Sequence, residues 1–249
     1  MSILERIEHR LFPYPKEPWI MAQTWKHLLF AHYRVEKAVL RELVPKCFEI
    51  DTYDGQAWIS IVPFEMSGIH LHGLRELPAA PVFEELNVRT YITFGGKPGV
   101  YFFSLDANSA LAVKFANITY GLPYLHAKMR KIVKAETVEF FSERTDARAE
   151  KGIFSSEYRP ISEEFTSTSG SIDYWLTERY LLYVVKGKGI YEGNIHHCPW
   201  ALQEAEAKFE INTVAESVGI PIEEKPDILT YSKKLDVLVW RPKKVGIIG

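Results

Sequence analysis

The sequence contains little cysteine, no large excess of charge of either sign and no long apolar run. Its two cysteines, Cys47 and Cys198, are too few for a disulfide framework, and they do not form a C-x-x-C redox or zinc pair. Thirty lysines and arginines face thirty-two aspartates and glutamates, which leaves no basic excess for nucleic acid or an anionic membrane. No segment reaches the roughly 18 consecutive apolar residues of a membrane span. We therefore expect a cytoplasmic protein that binds neither nucleic acid nor a membrane.

Common catalytic and cofactor motifs are absent too. The sequence has no G-x-G-x-x-G, Walker, G-x-S-x-G or H-E-x-x-H motif. Two pairs of histidines invite a metal site, His70 with His72 and His196 with His197. Adjacent residues on a strand point to opposite faces, however, and no carboxylate stands at a recognised ligand spacing. We therefore expect no metal site and no bound cofactor.

Aromatic side chains are plentiful, with thirteen tyrosines, fourteen phenylalanines and six tryptophans. This surplus predicts a thick β core or the lining of a cavity. Runs of β-branched and aromatic residues predict strands at residues 19–33, 48–52, 57–66, 87–94, 100–106, 132–141, 154–159, 181–185 and 235–241. The Asp54-Gly55 pair predicts a tight hairpin turn between the second and third of these strands. Residues 201–211 alternate like a strand with one solvated face, although their alanines and glutamates leave a helix as the alternative.

Helices are expected to be few and short. Helical spacing places them at residues 3–11, 35–44, 109–115, 172–178 and 214–218. Prolines end the first two, and Ser171 opens the fourth. Many strands with short turns indicate an α+β protein, mainly antiparallel, with a barrel or stacked sheets as its core. Residues 1–249 show no linker and no internal repeat, so we expect a single domain.

One predicted strand carries a face of chemically active side chains. From Glu84 to Ile92, alternation sends two sets of side chains to opposite faces. The polar set is Glu85, Asn87, Arg89 and Tyr91, and the apolar set is Leu86, Val88 and Ile92. The polar face suits a surface strand that meets water. It also suits a barrel strand that faces a ligand cavity, where a carboxylate beside a guanidinium orients a small polar substrate.

Three further side chains are candidates for the same site. A turn containing glycine and proline places Tyr124 and His126 on one side at the start of a strand, and rigid turns often hold site residues. The alternative is that Tyr124 packs in the core and that His126 is a satisfied histidine. Arg179 is either a cation in a cleft or the partner of Glu178 or of another surface acid.

Several motifs resemble a known family. They are Leu28-Leu-Phe-Ala-His32, Asp51-Thr-Tyr-Asp-Gly-Gln-Ala-Trp58, Val62-Pro-Phe-Glu-Met66, Glu85-Leu-Asn-Val-Arg-Thr-Tyr91, Gly99-Val-Tyr-Phe-Phe-Ser-Leu-Asp-Ala107 and Leu122-Pro-Tyr124. With them, residues 19–242 resemble the YqjF-like family of uncharacterised bacterial proteins. That family is placed with the acetoacetate decarboxylase-like fold. The resemblance therefore implies a large antiparallel β-barrel-like core, a few helices and an internal polar pocket.

The resemblance also bears on the chemistry. The decarboxylase forms a Schiff base through the first lysine of a Gly-x-Pro-Lys-Lys-x-Ala motif, and the second lysine lowers the pKa of the first. Here Gly121, Pro123 and Ala127 match that motif, but Tyr124 and Leu125 replace both lysines. Neither replacement can form an imine, so we do not expect Schiff-base decarboxylation.

These observations predict an internal pocket for a small polar metabolite, either a carboxylate or a keto compound. Glu85, which matches the family's acidic pocket residue, and Tyr124 are the expected proton carriers. The expected substrate-binding residues are Asn87, Arg89, Tyr91, His126 and Arg179. Aromatic walls are expected from Trp58, Tyr91, Tyr101, Phe103, Tyr124 and Tyr231. Two alternatives stay open: an enzyme with non-imine lyase or isomerase chemistry at the same two proton carriers, and a non-catalytic homodimer with a structural or interaction role.

Overall fold

The structure is a computed structural model that describes residues 3–73, 81–110, 113 and 121–248. The strands of these residues are β1 (Met21–Val35), β2 (Glu49–Ile50), β3 (Ala57–Leu71), β4 (Phe83–Phe94), β5 (Lys97–Ala107), β6 (Tyr124–Lys134), β7 (Thr137–Arg144), β8 (Ile153–Pro160), β9 (Leu181–Lys186), β10 (Gly189–His197), β11 (Gln203–Asn212), β12 (Ile228–Val239) and β13 (Lys243–Ile247). The α-helices are α1 (Lys37–Leu43) and α2 (Ile172–Thr177), and the short 3₁₀ helices are Ile3–Glu5 and Glu216–Val218. None of the described helices has the length and apolar character needed to cross a membrane.

Nine strands close into a barrel in the order β1, β3, β4, β5, β6, β7, β8, β11 and β12, with β12 paired to β1. Neighbours in this ring are antiparallel except β5 and β6, which run parallel over three residue pairs. β9 and β10 make a second connection between β5 and β12, β13 pairs with β10, and β2 pairs with β4. The expected α+β class with a mainly antiparallel barrel core is confirmed.

The strands around the site are buried on both faces. On β4, Leu86, Val88 and Ile92 pack into one apolar core together with side chains of β1, β3, β7 and β8. The opposite faces of β1 and β3 pack into a second core, which includes Phe30 and Phe64. The polar face of β4 turns toward this second core. It therefore does not meet bulk water, and the surface-strand alternative is wrong.

Three local predictions are confirmed: the helix start at Ser171, the tight turn at Asp54-Gly55 and the strand at residues 201–211. α2 begins after Ser171, whose Oγ accepts a hydrogen bond of 3.2 Å from the Tyr174 N–H. Asp54 and Gly55 both have positive φ angles, as a type I′ turn requires. β11 alternates exposed and less exposed residues, so the strand interpretation of residues 201–211 is confirmed and the helix alternative is wrong.

The strand that precedes the Asp54-Gly55 turn is paired differently from the prediction. Only Tyr53 and Gln56 close the turn, through two backbone hydrogen bonds of 2.9 Å. β2 itself is two residues long and pairs with β4 instead of β3. A turn signal therefore located the reversal of the chain but not the strand partner.

Two further predictions are wrong, and a third is not covered. Residues 132–141 are two strands, because Ala135 adopts a positive φ angle and turns β6 back into β7. At the N terminus, helical structure covers only Ile3–Glu5. The following segment lies against β10 instead, where His9 Nε2 contacts the His197 carbonyl oxygen at 2.8 Å. The helix predicted at residues 109–115 lies largely outside the described residues.

Candidate functional site

A cavity of about 410 Å³ lies between the inner faces of β1, β3 and β4 and the strands β9 and β10. Its wall is mostly apolar. The aromatic members include Trp25, Phe30, Phe64, Phe83, Phe102 and Trp200. The polar members are Gln23, Glu85, Asn87, Arg89, Ser109, Tyr124, Thr177, Arg179 and His197. An apolar cavity with a few placed polar groups is the usual form of a small-molecule site.

The cavity follows the direction of the strands. Cross-strand pairs along its floor are Met66 with Phe83, Phe64 with Glu85, and Val62 with Asn87. Leu71 and Pro81 stand at one end of this series and are exposed. Arg89 and Arg179 stand at the other end and are buried. The cavity is therefore elongated, with one exposed end and one buried end.

Glu85 is a buried carboxyl group between the two ends, with 2% of its surface exposed. The Tyr124 hydroxyl donates a hydrogen bond of 2.7 Å to Glu85 Oε2, and Asn87 Nδ2 donates a longer one of 3.4 Å to Oε1. The pKa of Glu85 is raised to about 7, mainly by burial and to a smaller extent by the charge of Asp106, while the two hydrogen bonds oppose the shift. Glu85 can therefore exchange a proton near neutral pH, as a general acid or base requires.

Arg89 is a buried cation that has no anionic partner among the described residues. Its Nη2 lies 3.5 Å from the Leu176 carbonyl oxygen, and its Nε has no hydrogen-bond partner. The guanidinium carbon lies 5.5 Å from the centre of the Phe30 ring and 6.0 Å from that of Tyr91. Burial of an uncompensated charge is costly, so this group strongly favours an anion that enters the cavity.

Arg179 is the second cation of the cavity. Its Nη1 donates to Asp51 Oδ2 at 2.7 Å, and its Nε donates to the Trp175 carbonyl oxygen at 2.6 Å. Its Nη2 is buried without a partner. The alternative named Glu178 or another acid as its partner. Pairing with Glu178 is wrong, because the Glu178 carboxylate accepts hydrogen bonds from the Tyr180 hydroxyl and the Trp200 N–H, and the acid that pairs with Arg179 is Asp51. Arg179 instead combines an ion pair with one N–H group left for a ligand.

Two expected binding residues do not line the cavity. Tyr91 packs behind its buried end, where the hydroxyl lies 2.5 Å from Ser60 Oγ and 3.3 Å from His32 Nδ1. Both cavity guanidinium groups lie within 6.0 Å of the Tyr91 ring, so this residue supports them from behind. His126 stands where β6 leaves β5, and its Nδ1 contacts Thr145 Oγ1 at 3.0 Å. The departure of β6 toward β7 carries His126 away from the other candidates.

The wall opposite β4 includes Trp200, which the sequence did not single out, and His197, which it offered only as half of a histidine pair for a metal. The Trp200 indole N–H donates to the Thr177 carbonyl oxygen at 3.0 Å, and His197 lies beside this pair. His197 Nδ1 lies 2.7 Å from the Cys198 carbonyl oxygen, and burial lowers the pKa of His197 to about 3, so the imidazole is neutral. Strand alternation was the one sequence signal that separated these two histidines. It puts His196 and His197 on opposite faces of β10, and only His197 lines the cavity.

The aromatic lining differs from the prediction. Tyr124 lines the cavity, whereas Tyr101 and Phe103 do not, and Phe102 between them does. Tyr101 and Phe103 pack on the opposite face, against the core that contains Phe48. The other residues expected in the lining, Trp58, Tyr91 and Tyr231, also lie outside it. Both faces of these strands are buried, so an aromatic pattern does not show which face turns toward the cavity.

No lysine lines the cavity in the part of the chain that the structure describes. Lys128, which follows the segment that matches the decarboxylase motif, is exposed on β6. Within the same part of the chain there is no group of three side chains able to hold a metal ion. The chemical resources of the described wall are therefore one carboxyl group that titrates near neutrality, two arginines and several neutral hydrogen-bonding groups.

Substitution Glu85→Gln tests the raised pKa of Glu85. Because this pKa rises from 4.5 to about 7 on folding, the protonated carboxyl stabilises the folded state fully below pH 4.5, and this contribution is lost as pH rises through 7. We compare the free energy of unfolding of the wild-type protein with that of Glu85→Gln. This difference should fall by on the order of 3 kcal/mol as the pH rises from below 4.5 to above 7. Urea unfolding across this pH range measures the loss. Glu157→Gln, at an exposed position on β8, is the control; a pH-independent difference for Glu85→Gln would contradict the assignment.

Comparison with protein families gives one match over most of the chain. The family DUF2071, described as "Uncharacterized conserved protein (COG2071)", matches residues 22–236. The chain is also 45% identical over 240 residues to "Uncharacterized protein YqjF" of Bacillus subtilis (strain 168). This similarity covers 96% of the chain and 98% of the relative, so the expected resemblance to the YqjF-like family is confirmed.

Solved structures with the same fold include two kinds of enzyme. The enduracididine biosynthesis enzyme MppR, with HEPES buffer bound, matches with a TM-score of 0.63 at 12% identity, over 92% of this chain and 89% of that one. An acetoacetate decarboxylase from Legionella pneumophila matches with a TM-score of 0.62 at 12% identity, over 98% of this chain and 95% of that one. At such identities the similarity shows the fold alone. The acetoacetate decarboxylase-like fold is confirmed.

Proposed function

The chain belongs to the DUF2071 family of uncharacterised conserved proteins, and we propose that it binds a small carboxylate-bearing metabolite in its elongated cavity. The observation that carries this proposal is Arg89, a buried cation with an unpartnered Nε and no anion beside it among the described residues. A ligand carboxylate would supply the missing charge and the missing hydrogen-bond acceptor. Arg179 adds a second unpartnered N–H group at the same end.

The rest of the wall supports a ligand with an apolar body. Phe64, Met66 and Phe83 line the path between the buried arginines and the exposed end, and they offer no charge to a second anionic group. A structure of MppR complexed with pyruvate has the same fold as this chain, with a TM-score of 0.62 at 12% identity. Pyruvate is a small keto carboxylate. That complex supports the proposal, because it pairs such a ligand with the same fold, and in this chain the two arginines are the groups that would bind the carboxylate.

Calorimetric titration with decanoate and decanamide tests the proposal. The two compounds share an alkyl chain and differ in charge, so the arginines should distinguish them. We expect decanoate to bind at least about tenfold more tightly than decanamide, because a charged hydrogen bond contributes more than a neutral one. Equal affinities, or no binding of decanoate, would contradict the proposal.

A second candidate function is acid–base catalysis on the bound carboxylate by non-imine lyase or isomerase chemistry. The observation that favours it is the hydrogen bond from Tyr124 to Glu85, a carboxyl with a pKa of about 7 inside the cavity. Such a pair can move a proton to and from a ligand carbon or oxygen. Ligand recovered from the protein in deuterated buffer distinguishes the candidates: incorporated deuterium supports catalysis, and an unchanged ligand supports binding alone.

We also propose a cytoplasmic location, supported by the free thiols of Cys47 and Cys198. The proposed partner is a small molecule, and neither nucleic acid nor a membrane is proposed. Formation of a homo-oligomer stays a prediction, for which size-exclusion chromatography with light scattering is the direct measurement.

A further inference from the structure

We propose that the ligand of this cavity is an elongated monocarboxylate that enters carboxylate first and carries a carbonyl or hydroxyl group at least about five carbon–carbon bonds from the carboxylate. This inference rests on the proposed function, because it names the ligand class of the same cavity. Its basis is the spacing of polar groups along one strand face.

Three polar side chains of β4 divide the cavity at regular intervals. Glu85, Asn87 and Arg89 alternate along one face of the strand, and all three line the cavity. At about 3.3 Å per residue, the Cα atoms of Glu85 and Arg89 are about 13 Å apart. The carboxyl group that exchanges protons and the cation that attracts anions therefore serve different parts of one ligand.

The orientation of Arg89 keeps the two groups apart. Its Nη2 lies 3.5 Å from the Leu176 carbonyl oxygen, and its guanidinium carbon lies 6.0 Å from the centre of the Tyr91 ring. Tyr91 is two residues further from Glu85 along the strand, but the Phe30 ring on β1 is nearer to the same carbon, at 5.5 Å, so we take the guanidinium group to lie near the level of its own Cα atom. The hydrogen bonds of Glu85 come from Tyr124 and Asn87 and not from Arg89. Allowing a hydrogen bond of about 3 Å at each end, about 7 Å remains for the ligand to span.

The two ends of the cavity determine the direction of entry. The arginine end is closed by Tyr91 and Leu176, which are both completely buried. At the other end, Leu71 is 47% exposed and Pro81 is exposed. A ligand that places its carboxylate on Arg89 must therefore enter with that group first and leave its tail toward Leu71.

The charges at the buried end limit the number of carboxylates to one. Arg89 and Arg179 contribute two positive charges, and Asp51 neutralises one of them through its ion pair with Arg179. One positive charge is left for the ligand. Beyond it, Asn87 and Glu85 offer hydrogen bonds to a neutral oxygen, and the wall near Met66 is apolar. A short β-keto acid, whose carboxylate and carbonyl carbons are two bonds apart, cannot reach both groups at once.

A series of ligands with constant carbon content tests this spacing. Calorimetry at pH 6 would compare decanoate with 3-oxodecanoate, 5-oxodecanoate and 7-oxodecanoate, which differ only in the position of the carbonyl group. We expect 7-oxodecanoate to bind about tenfold more tightly than 3-oxodecanoate, since only its carbonyl reaches the protonated Glu85 while the carboxylate contacts Arg89. The 5-oxo compound should fall between them.

Two variants show whether the preference arises at Glu85. Glu85→Leu and Tyr124→Phe should each reduce the tenfold preference to less than about threefold while decanoate still binds, and Glu157→Leu on β8 is the exposed control. Circular dichroism confirms folding, and Tyr124→Phe carries the test if Glu85→Leu does not fold. A preference for 3-oxodecanoate, no preference, or a preference that survives in both variants overturns the spacing while leaving carboxylate binding intact. Failure of wild-type protein to bind decanoate would instead overturn the proposed function.

Discussion

Substitution Arg89→Met is expected to weaken decanoate binding by about 100-fold, because it removes the buried charge that attracts the carboxylate. Methionine has a similar length and is apolar, so it fills the space without supplying charge or a hydrogen-bond donor. Decanamide should lose much less affinity, since it carries no charge for Arg89 to attract. Isothermal titration calorimetry of both ligands against both proteins measures these changes.

The same variant has an expected effect on stability that distinguishes a binding role from a structural one. Arg89 has one long hydrogen bond and an unpartnered Nε, so its removal relieves an uncompensated buried charge. Arg89→Met should therefore unfold at an equal or higher urea concentration than the wild-type protein. Arg130→Met, at an exposed position on β6, is the matched control and should leave binding unchanged. Lower stability together with intact decanoate binding would assign Arg89 to the core instead of the site.

The polar face of β4 could be predicted from the sequence because strand alternation is a local property. Glu85, Asn87 and Arg89 share a face whatever the strand packs against. The sequence of β4 could not show whether that face meets water or a cavity. The answer depends on β9, β10 and the wall around Trp200, which lie far away in sequence. The family resemblance supplied this missing information, since it implied the fold that brings these segments together.

Other parts of the site could not be predicted because their partners are distant in sequence. The ion pair between Arg179 and Asp51 joins residues 128 positions apart. His197 and Phe102 belong to strands with two buried faces, where pattern alone leaves the choice of face open. The β6–β7 hairpin was missed because Ala135 adopts the positive φ angle there, in a position that glycine or asparagine usually marks.

The buried arginines of this protein differ in whether a carboxylate neutralises their charge and whether their N–H groups have acceptors. Arg144 is completely buried, as is its partner Asp106. Its Nε and Nη2 donate to the two Asp106 oxygens at 2.8 Å and 3.1 Å, and Nη2 also donates to Ser104 Oγ at 3.0 Å. Nη1 donates to Ser217 Oγ at 2.9 Å and to the Glu150 carbonyl oxygen. Every N–H-bearing nitrogen of this guanidinium group is therefore occupied, and Arg144 offers nothing to a ligand.

Substitution Arg144→Met is consequently expected to lower the free energy of unfolding by about 3–5 kcal/mol, because it leaves the Asp106 carboxylate buried without its cation. Urea unfolding monitored by tryptophan fluorescence measures the loss. Arg148→Met is the matched control: its pair with Asp146 has a 57% exposed arginine side chain, so the expected loss is below about 1 kcal/mol. The double variant Asp106→Leu/Arg144→Met should recover part of the loss, since it removes both charges.

If burial alone determined stability, Arg89→Met and Arg144→Met would change the free energy of unfolding in the same way. Because only Arg144 has a carboxylate partner, we expect opposite changes. Arg144 is held by a bidentate carboxylate, so its loss should destabilise the fold without a direct effect on a cavity that it does not line. Arg89 lacks such a partner among the described residues, so its loss should remove binding and spare the fold. If both variants destabilised the protein equally, Arg89 would have a structural role instead of an anion-binding one.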